Sequence, residues 1–331
     1  MIPFLDDQVL YALLQLGILV TFIISAVRAA HVSPACLGEL LTAAIFGLLL
    51  EQGDILLFGT YGYNSHWVRI GDVPVAIALT WAMIIASAMN LSDVLGLPSV
   101  EDLPRPHSIG GTVHWLGYGA LAPVADAIWA ILLDLSLDAV AIRLRLWTWT
   151  IPADQGWFGV PWGNFYSWLY VAAMFSFFTR LVRRTARYRS PVWGWWQLAV
   201  PLLAYFGLLA FFAPYLVLQH TLFALDPENA TWVVFAITLV ALTILTVYGL
   251  GWARGAAREE PDHWLALIRL TVHLLFLGAL VLTGLFIHLI MLLWVALTML
   301  LIELVLLGLS RYNGFRIRTT RFLLGRGSRA E

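Results

Sequence analysis

Long apolar runs are the feature that most constrains the fold of this chain. A helix that spans a bilayer needs about 20 mostly apolar residues, and nine stretches of the sequence come close to that length. They occupy residues 8–30, 35–50, 73–92, 114–142, 164–182, 192–218, 230–252, 263–282 and 287–309. The sequence therefore predicts an all-α polytopic membrane bundle with about nine transmembrane helices, or eight if the last two runs form one span.

The composition agrees with a membrane protein and excludes several other classes. Hydrophobic residues make up 61% of the chain and charged residues 12%, whereas soluble domains contain about 45–50% and about 25%. These values exclude an ordinary soluble domain and an intrinsically disordered chain. The net charge of −1 supplies no basic field, so no nucleic acid partner is expected. The single cysteine, Cys36, excludes an internal disulfide and a cysteine-based metal site.

The distribution of arginine predicts the orientation of the chain in the membrane. All 19 basic residues are arginines, and cytoplasmic loops carry an excess of basic residues. With nine spans, Arg69, Arg143 and Arg145 lie on one side and the other 16 arginines lie on the opposite side. We therefore expect a multi-pass protein of the cell membrane with its N-terminus outside and its C-terminus in the cytoplasm.

The chain is expected to contain one membrane domain. Residues 1–310 form a single transmembrane domain in this interpretation, and residues 311–331 form a basic cytoplasmic tail with six arginines. The first apolar run has no cationic segment before it and no cleavage site of small residues after it. We therefore expect this run to be a span and not a signal peptide.

Three polar segments interrupt the apolar pattern, and the alternation of the spans places all three at the external side. They cover residues 51–64, 134–149 and 157–165. Asp134 and Asp138 share a helix face because they are four residues apart, and Glu51 and Asp54 are neighbours if the second helix continues that far. Carboxylates inside a bilayer are costly and usually face a cavity or a bundle interior. Two carboxylate pairs at one depth would suit acid–base catalysis.

The local helix geometry around these acids leads to two further expectations. Arg145 follows Asp134 by about three helical turns, so it would lie near the same face if the helix continued to that point. Gly53, Gly59 and Gly62 argue against continuation of the second helix past Asp54.

Other acidic and histidine residues lie in apolar runs away from the three polar segments. Asp126 is about 80° around the helix from Asp134 and is expected to face a different neighbour. Glu39 and Glu303 are candidates for polar contacts between helices. His273 and His288 are expected to be core or interface residues.

Aromatic residues are interleaved with the polar segments. Trp147, Trp149, Trp157 and Trp162 would line a groove for a long apolar ligand or stabilise a carbocation by cation–π attraction. The alternative interpretation is a belt of aromatic residues at the membrane interface.

Several other chemistries lack their sequence motifs. The eight histidines do not show the HxxxH and HxxHH spacings of membrane di-iron enzymes, and no phosphate loop or Gly-x-Ser-x-Gly elbow occurs. The Asp134–Asp138 spacing fits one metal motif of intramembrane prenyltransferases, but the companion motif is absent, so a prenyltransferase is a weaker alternative. A transporter would show two related halves, and the sequence shows no such symmetry.

The three polar segments resemble the signature segments of the integral-membrane carotenoid biosynthesis proteins. This family includes the bisanhydrobacterioruberin hydratases of haloarchaea and the γ-carotene 1′,2′-hydratases of bacteria, and the resemblance covers roughly residues 36–180. It implies a hydro-lyase that adds water across the terminal C1=C2 double bond of an acyclic carotenoid end group through a tertiary carbocation. No cofactor and no metal are expected. The implied partners are a membrane-embedded carotenoid, water, bilayer lipid and other enzymes of carotenoid biosynthesis.

The resemblance also suggests roles for the residues of the polar segments. The candidate catalytic residues are Glu51, Asp54, Asp134 and Asp138, with one pair supplying the acid and the other the base in an order that the sequence leaves open. The candidate substrate-binding residues are Tyr61, Tyr63, Arg143, Trp147, Trp157, Trp162 and Asn164. In this hypothesis Asn164 and Tyr61 orient water, and Arg143 tunes the acids or ties helices together. The alternative is a non-catalytic membrane protein, such as a transporter or a carotenoid-binding assembly partner, in which the acids are structural.

Overall fold

The computed structural model describes residues 7–103, 108–152, 154–187, 193–223, 230–253 and 260–327. Its helices are α1 (Asp7–Val32), α2 (Pro34–Leu57), α3 (Val75–Leu95), α4 (Ile109–Gly119), α5 (Leu121–Ala141), α6 (Trp162–Arg187), α7 (Trp193–Phe223), α8 (Ala230–Trp252), α9 (His263–Leu282), α10 (Leu285–His288) and α11 (Ile290–Gly327). Its strands are β1 (Tyr61–Tyr63), β2 (Arg69–Ile70), β3 (Val73–Pro74) and β4 (Trp147–Trp149).

The described residues contain nine helical segments that are long and apolar enough to cross a membrane. This observation confirms the prediction of an all-α polytopic bundle, and it favours nine spans over eight. The last two spans are separate because Gly284 takes a left-handed conformation with φ of 72° and interrupts the helix between them. The inside and outside assignments of the two ends remain predictions.

The fourth span differs from the single run expected from the sequence because it is built from two helices, α4 and α5. The break falls at Ala120, between the two helices. Pro123 lies in the first turn of α5, where a missing backbone N–H is tolerated. In one continuous helix, the Gly119 carbonyl would need that N–H as its hydrogen-bond donor, so Pro123 favours a break before it.

Two expectations about helix ends are wrong. Helix α2 continues past Asp54 to Leu57. Gly53 does not end this helix, because its role is to let α7 pack closely against α2. A Cβ atom on Gly53 would lie 2.0 Å from the Tyr205 hydroxyl oxygen. Helix α5 ends at Ala141, and Arg145 takes a left-handed conformation with φ of 60°, so Arg145 does not extend the helix face of Asp134.

Helix α5 forms the centre of the bundle. It packs against α3, α6, α8, α9 and α11, and nearly all of its side chains are buried. Large apolar side chains on α1, α7, α8 and α11 remain exposed on the outside, as expected of helices that face lipid. The three aspartates of α5 therefore lie in the interior of the bundle.

A small two-stranded sheet joins the first two polar segments. Strand β1 pairs antiparallel with β4, and Tyr61 lies opposite Trp149 while Tyr63 lies opposite Trp147. The Trp67 indole donates to the Leu146 carbonyl over 2.9 Å, which anchors the turn before β4. The pairing confirms that these two segments meet at one end of the bundle.

Buried ion pairs hold the helices together at the other end. Arg180 contacts Asp126 over 3.2 Å and also pairs with Asp93, and Arg183 contacts Glu39 over 2.6 Å. Asp126 therefore faces a different neighbour from Asp134, and Glu39 makes a contact between helices, both as predicted.

A further buried ion pair joins α9 and α11. Arg269 donates to both oxygens of Glu303 over 2.7 and 2.6 Å, so Glu303 also makes the contact between helices that the sequence predicts. His273 is buried with its Nε2 atom 3.6 Å from Glu303. His288 is exposed and is therefore not a core residue, whereas an interface position for it stays a prediction.

Candidate active site

The four candidate acids all line one cavity of about 80 Å³. It lies where α2 ends, α3 begins, α5 ends and α6 begins, and the side chains of the β1–β4 sheet line it on one side. Glu51 and Asp54 come from α2, and Asp134 and Asp138 come from α5. The antiparallel order of the helices thus brings both carboxylate pairs to the same depth.

Glu51 is the most extensively hydrogen-bonded of these acids. Its Oε2 atom accepts hydrogen bonds from the Tyr61 and Tyr63 hydroxyls over 2.5 and 2.6 Å. Its Oε1 atom accepts one from the Trp81 indole over 2.6 Å. An ionised carboxylate is acceptor-only and offers about four lone-pair sites. Three donors therefore suit the carboxylate form and leave about one site for a further donor.

Asp134 and Asp138 share the side-chain amide of Asn164. The Asn164 Nδ2 atom lies 2.7 Å from the Asp138 Oδ2 atom and 3.3 Å from the Asp134 Oδ2 atom. The Trp147 indole donates to the Asp138 Oδ1 atom over 2.5 Å. Asp134 is completely buried, and its Oδ1 atom has no hydrogen-bond partner among the described residues.

None of the four cavity acids forms an ion pair in the part of the chain that the structure describes. In this respect they differ from Asp126, Glu39 and Glu303, each of which contacts an arginine. An ion pair that holds helices together thus explains those three acids but not the cavity acids.

Aromatic side chains form much of the remaining wall of the cavity. The ring centroids of Trp81 and Trp168 are 4.2 Å apart, and those of Tyr61 and Trp149 are 4.8 Å apart. Apolar side chains complete the lining: Leu50, Ile77, Ile84, Leu137 and Val171. The cavity therefore combines carboxylates with aromatic faces that attract a cation.

The family model for carotenoid biosynthesis proteins matches residues 8–226. This chain belongs to the carotenoid biosynthesis protein family. The matched range includes every residue that lines the acid cavity, and it places the role of the protein in carotenoid biosynthesis. No curated protein and no solved structure shows significant similarity to the chain.

Within this family member, four of the seven candidate substrate-binding residues line the acid cavity. They are Tyr61, Tyr63, Trp147 and Asn164. Arg143, Trp157 and Trp162 do not contribute to its wall.

The hydrogen bonds of Arg143 and Trp157 explain why they lie elsewhere. Arg143 donates to the carbonyls of Ala139 and Phe158 over 2.7 and 2.8 Å. It therefore ties the end of α5 to the loop before α6, which is one of its two expected roles. The Trp157 indole donates to the Leu135 carbonyl over 2.8 Å. The Trp162 ring stacks on the Phe235 ring with 5.7 Å between their centroids.

Trp81 is a direct partner of Glu51 that the sequence pattern does not indicate. Trp81 lies in an apolar run with no acid nearby in sequence, so composition does not single it out. Topology carries the only signal, because the first two turns of α3 lie at the depth where α2 ends. Thr80, Ser167 and Trp168 also line the cavity and were missed for the same reason.

The environment of Tyr61 and Tyr63 leads to a prediction about alkaline pH. Burial, and next the Glu51 carboxylate, raise the pKa of both phenols well above the ordinary value, which is about 10. Both phenols therefore stay protonated in the folded protein as the pH rises above about 10, whereas they ionise in the unfolded chain. The native state consequently loses stability in that alkaline range.

Tyrosinate absorbance measures this difference directly. A Tyr61→Phe/Tyr63→Phe variant should show the same alkaline titration amplitude as the wild type when folded in detergent. After unfolding, the variant should show the absorbance of two fewer tyrosinates than the wild type. A loss of two tyrosinates from the folded titration would show that these phenols ionise normally.

Proposed function

We propose that this protein is a carotenoid hydratase that adds water across the terminal C1=C2 double bond of an acyclic end group. One observation carries the proposal: two distinct carboxylate systems, with no ion-pair partners among the described residues, face a single small aromatic cavity. Glu51 accepts hydrogen bonds from three donors, and the buried Asp134 Oδ1 atom has no hydrogen-bond partner in the part of the chain that the structure describes. Hydration of an alkene requires an acid and a base that are positioned beside the same apolar end group.

The Asp134–Asp138 pair is the proposed proton donor. A buried charged oxygen without a partner is costly, and two neighbouring carboxylates favour the sharing of one proton. In the first step Asp134 transfers that proton to C2 of the end group. The π electrons form the new C–H bond, and a tertiary cation remains at C1.

Glu51 is the proposed base. The aromatic faces around the cavity stabilise the cation at C1, and a water molecule bound to the remaining lone-pair site of Glu51 attacks it. The C–O bond forms, and the water transfers one proton to Glu51. A proton returns from Glu51 to the aspartate pair through water, so the cycle consumes one water and requires no oxidant or reductant.

Asp54 and Asn164 have supporting roles in this scheme. The Asn164 amide holds the two aspartates at a fixed spacing. Asp54 lies at the edge of the cavity and is half-buried, so it is the proposed relay for the returning proton. We also propose that the protein resides in the cell membrane with the cavity near the external face.

Expression in bacteria that accumulate lycopene or γ-carotene tests the function. We expect a more polar carotenoid that is heavier by one water, and we expect it to be absent from cells that express Glu51→Gln at the same protein level. No water-shifted product from either substrate, with the protein well inserted, would overturn the proposal in favour of a non-catalytic carotenoid-binding protein.

A further inference from the structure

The acid cavity is too small to hold a complete carotenoid. Its volume is about 80 Å³, whereas pockets for drug-sized ligands measure about 300–1,000 Å³. A single water needs about 10–15 Å³ of such space. The cavity therefore accommodates a short end group with water, and the rest of a long substrate must lie elsewhere.

A larger groove of about 1100 Å³ adjoins the acid cavity. It runs between the end of α2, the start of α6, the middle of α7 and the start of α8. The two spaces share five lining residues, so they lie side by side. The shared residues are Asp54, Tyr61, Trp149, Asn164 and Ser167.

The walls of the groove change in character along its length. Leu208, Leu209 and Phe212 line it at membrane depth, whereas Thr60 and Asp154 line its exposed end. At membrane depth the walls are therefore suited to a flat apolar chain.

Several aromatic rings along the groove contact one another. Phe212 stacks on Tyr215 with 5.2 Å between the ring centroids and 26° between the ring planes. Phe58 and Phe212 form an edge-to-face contact with 5.5 Å between their centroids. Trp162, which lies outside the acid cavity, also lines this groove. In this position Trp162, a candidate substrate-binding residue, would contact the chain of a bound substrate and not its end group.

We propose that this groove holds the conjugated chain of the carotenoid while the end group lies in the acid cavity, and that Leu209 and Phe212 determine which chains fit. The proposal rests on the proposed function for the placement of the end group. The shared wall with the acid cavity and the apolar side chains at membrane depth both support a polyene as the occupant.

A Leu209→Trp variant tests the groove by filling it. Overpacking of this wall should lower the amount of carotenoid that co-purifies with the protein by about tenfold or more, with a parallel loss of hydrated product. Leu202→Trp is the matched control, because Leu202 lies on the same helix, is 54% exposed and does not line the groove.

The two readouts separate this proposal from the proposed function. Pigment that binds to the wild type and is lost only from Leu209→Trp supports the groove even if no hydrated product forms. Equal pigment and equal product in Leu209→Trp and Leu202→Trp would overturn the groove while leaving the hydratase intact. Co-purification of phospholipid in place of carotenoid, from cells rich in carotenoid, would also overturn it.

Discussion

The Asp134→Asn variant is expected to lose hydratase activity by a factor of about 10²–10⁴, the usual contribution of a positioned acid or base. The substitution keeps the size of the side chain and removes the proton that the Asp134–Asp138 pair would transfer to the end group. Asp134 is completely buried but has no ion-pair partner among the described residues, so the folded protein should tolerate the change. The rate of product formation per mole of folded, carotenoid-loaded protein measures this effect.

Asp126→Asn is the matched control for this experiment. Asp126 is also completely buried in α5, two turns before Asp134, but it contacts Arg180 over 3.2 Å and does not line the cavity. We expect this variant to lose stability and to keep the wild-type rate per folded molecule. Wild-type turnover by Asp134→Asn, or an equal loss of turnover in both folded variants, would contradict the assigned role of Asp134.

The Arg180→Met variant is expected to lower the free energy of unfolding by about 3–5 kcal/mol, the typical result when one partner of a buried ion pair is removed. Arg180 is completely buried and contacts Asp93, Asp126 and Glu101. Its removal leaves Asp126 with no arginine partner among the described residues, whereas Asp93 and Glu101 keep contacts with Arg183 over 3.1 and 3.7 Å. Reversible unfolding in mixed micelles measures the change, and a markedly lower yield of folded protein should accompany it.

Arg28→Met provides the control for the loss of an arginine. Arg28 contacts Asp262 over 3.0 Å, but its side chain is 51% exposed, and exposed ion pairs contribute about 0–1 kcal/mol. We therefore expect little change in the unfolding free energy. A similar loss in Arg28→Met and Arg180→Met would show that burial does not distinguish the two ion pairs.

The architecture was largely predictable because the bilayer restricts what an apolar chain can do. A spanning segment must satisfy its backbone hydrogen bonds internally, so runs of about 20 apolar residues become helices. Alternation of the spans then brings Glu51 and Asp134 to the same end. The convergence of the acids follows from this alternation without any knowledge of side-chain contacts.

The partners of individual side chains were not predictable by the same argument. Alternation of the spans does not reveal that Trp81 reaches Glu51 or that Asp126 pairs with Arg180, because both contacts depend on helix rotation and packing. Glycine was ambiguous for a similar reason. Gly53 resembles a helix terminator in sequence, but it allows α7 to approach α2 closely.

The start of α6 and the end of α5 show a further limit. The local turn at residues 142–146 directs Arg143 towards the Phe158 carbonyl, and no helical periodicity describes that turn. Trp157 is held by the Leu135 carbonyl in the same region. Arg143 and Trp157 lie in this irregular region, whereas Trp162, the third residue not found beside the acids, begins α6.

Isotope incorporation by the purified protein shows whether the new hydroxyl oxygen of the carotenoid comes from water. The protein, loaded with lycopene or γ-carotene in detergent, is incubated in water enriched in oxygen-18, and the product is analysed by mass spectrometry. We expect the new hydroxyl oxygen to come from the labelled water, and a parallel reaction in deuterium oxide should place one deuterium at C2. A hydroxylated product whose oxygen is unlabelled, or no product from correctly folded and loaded protein, would contradict the hydration mechanism.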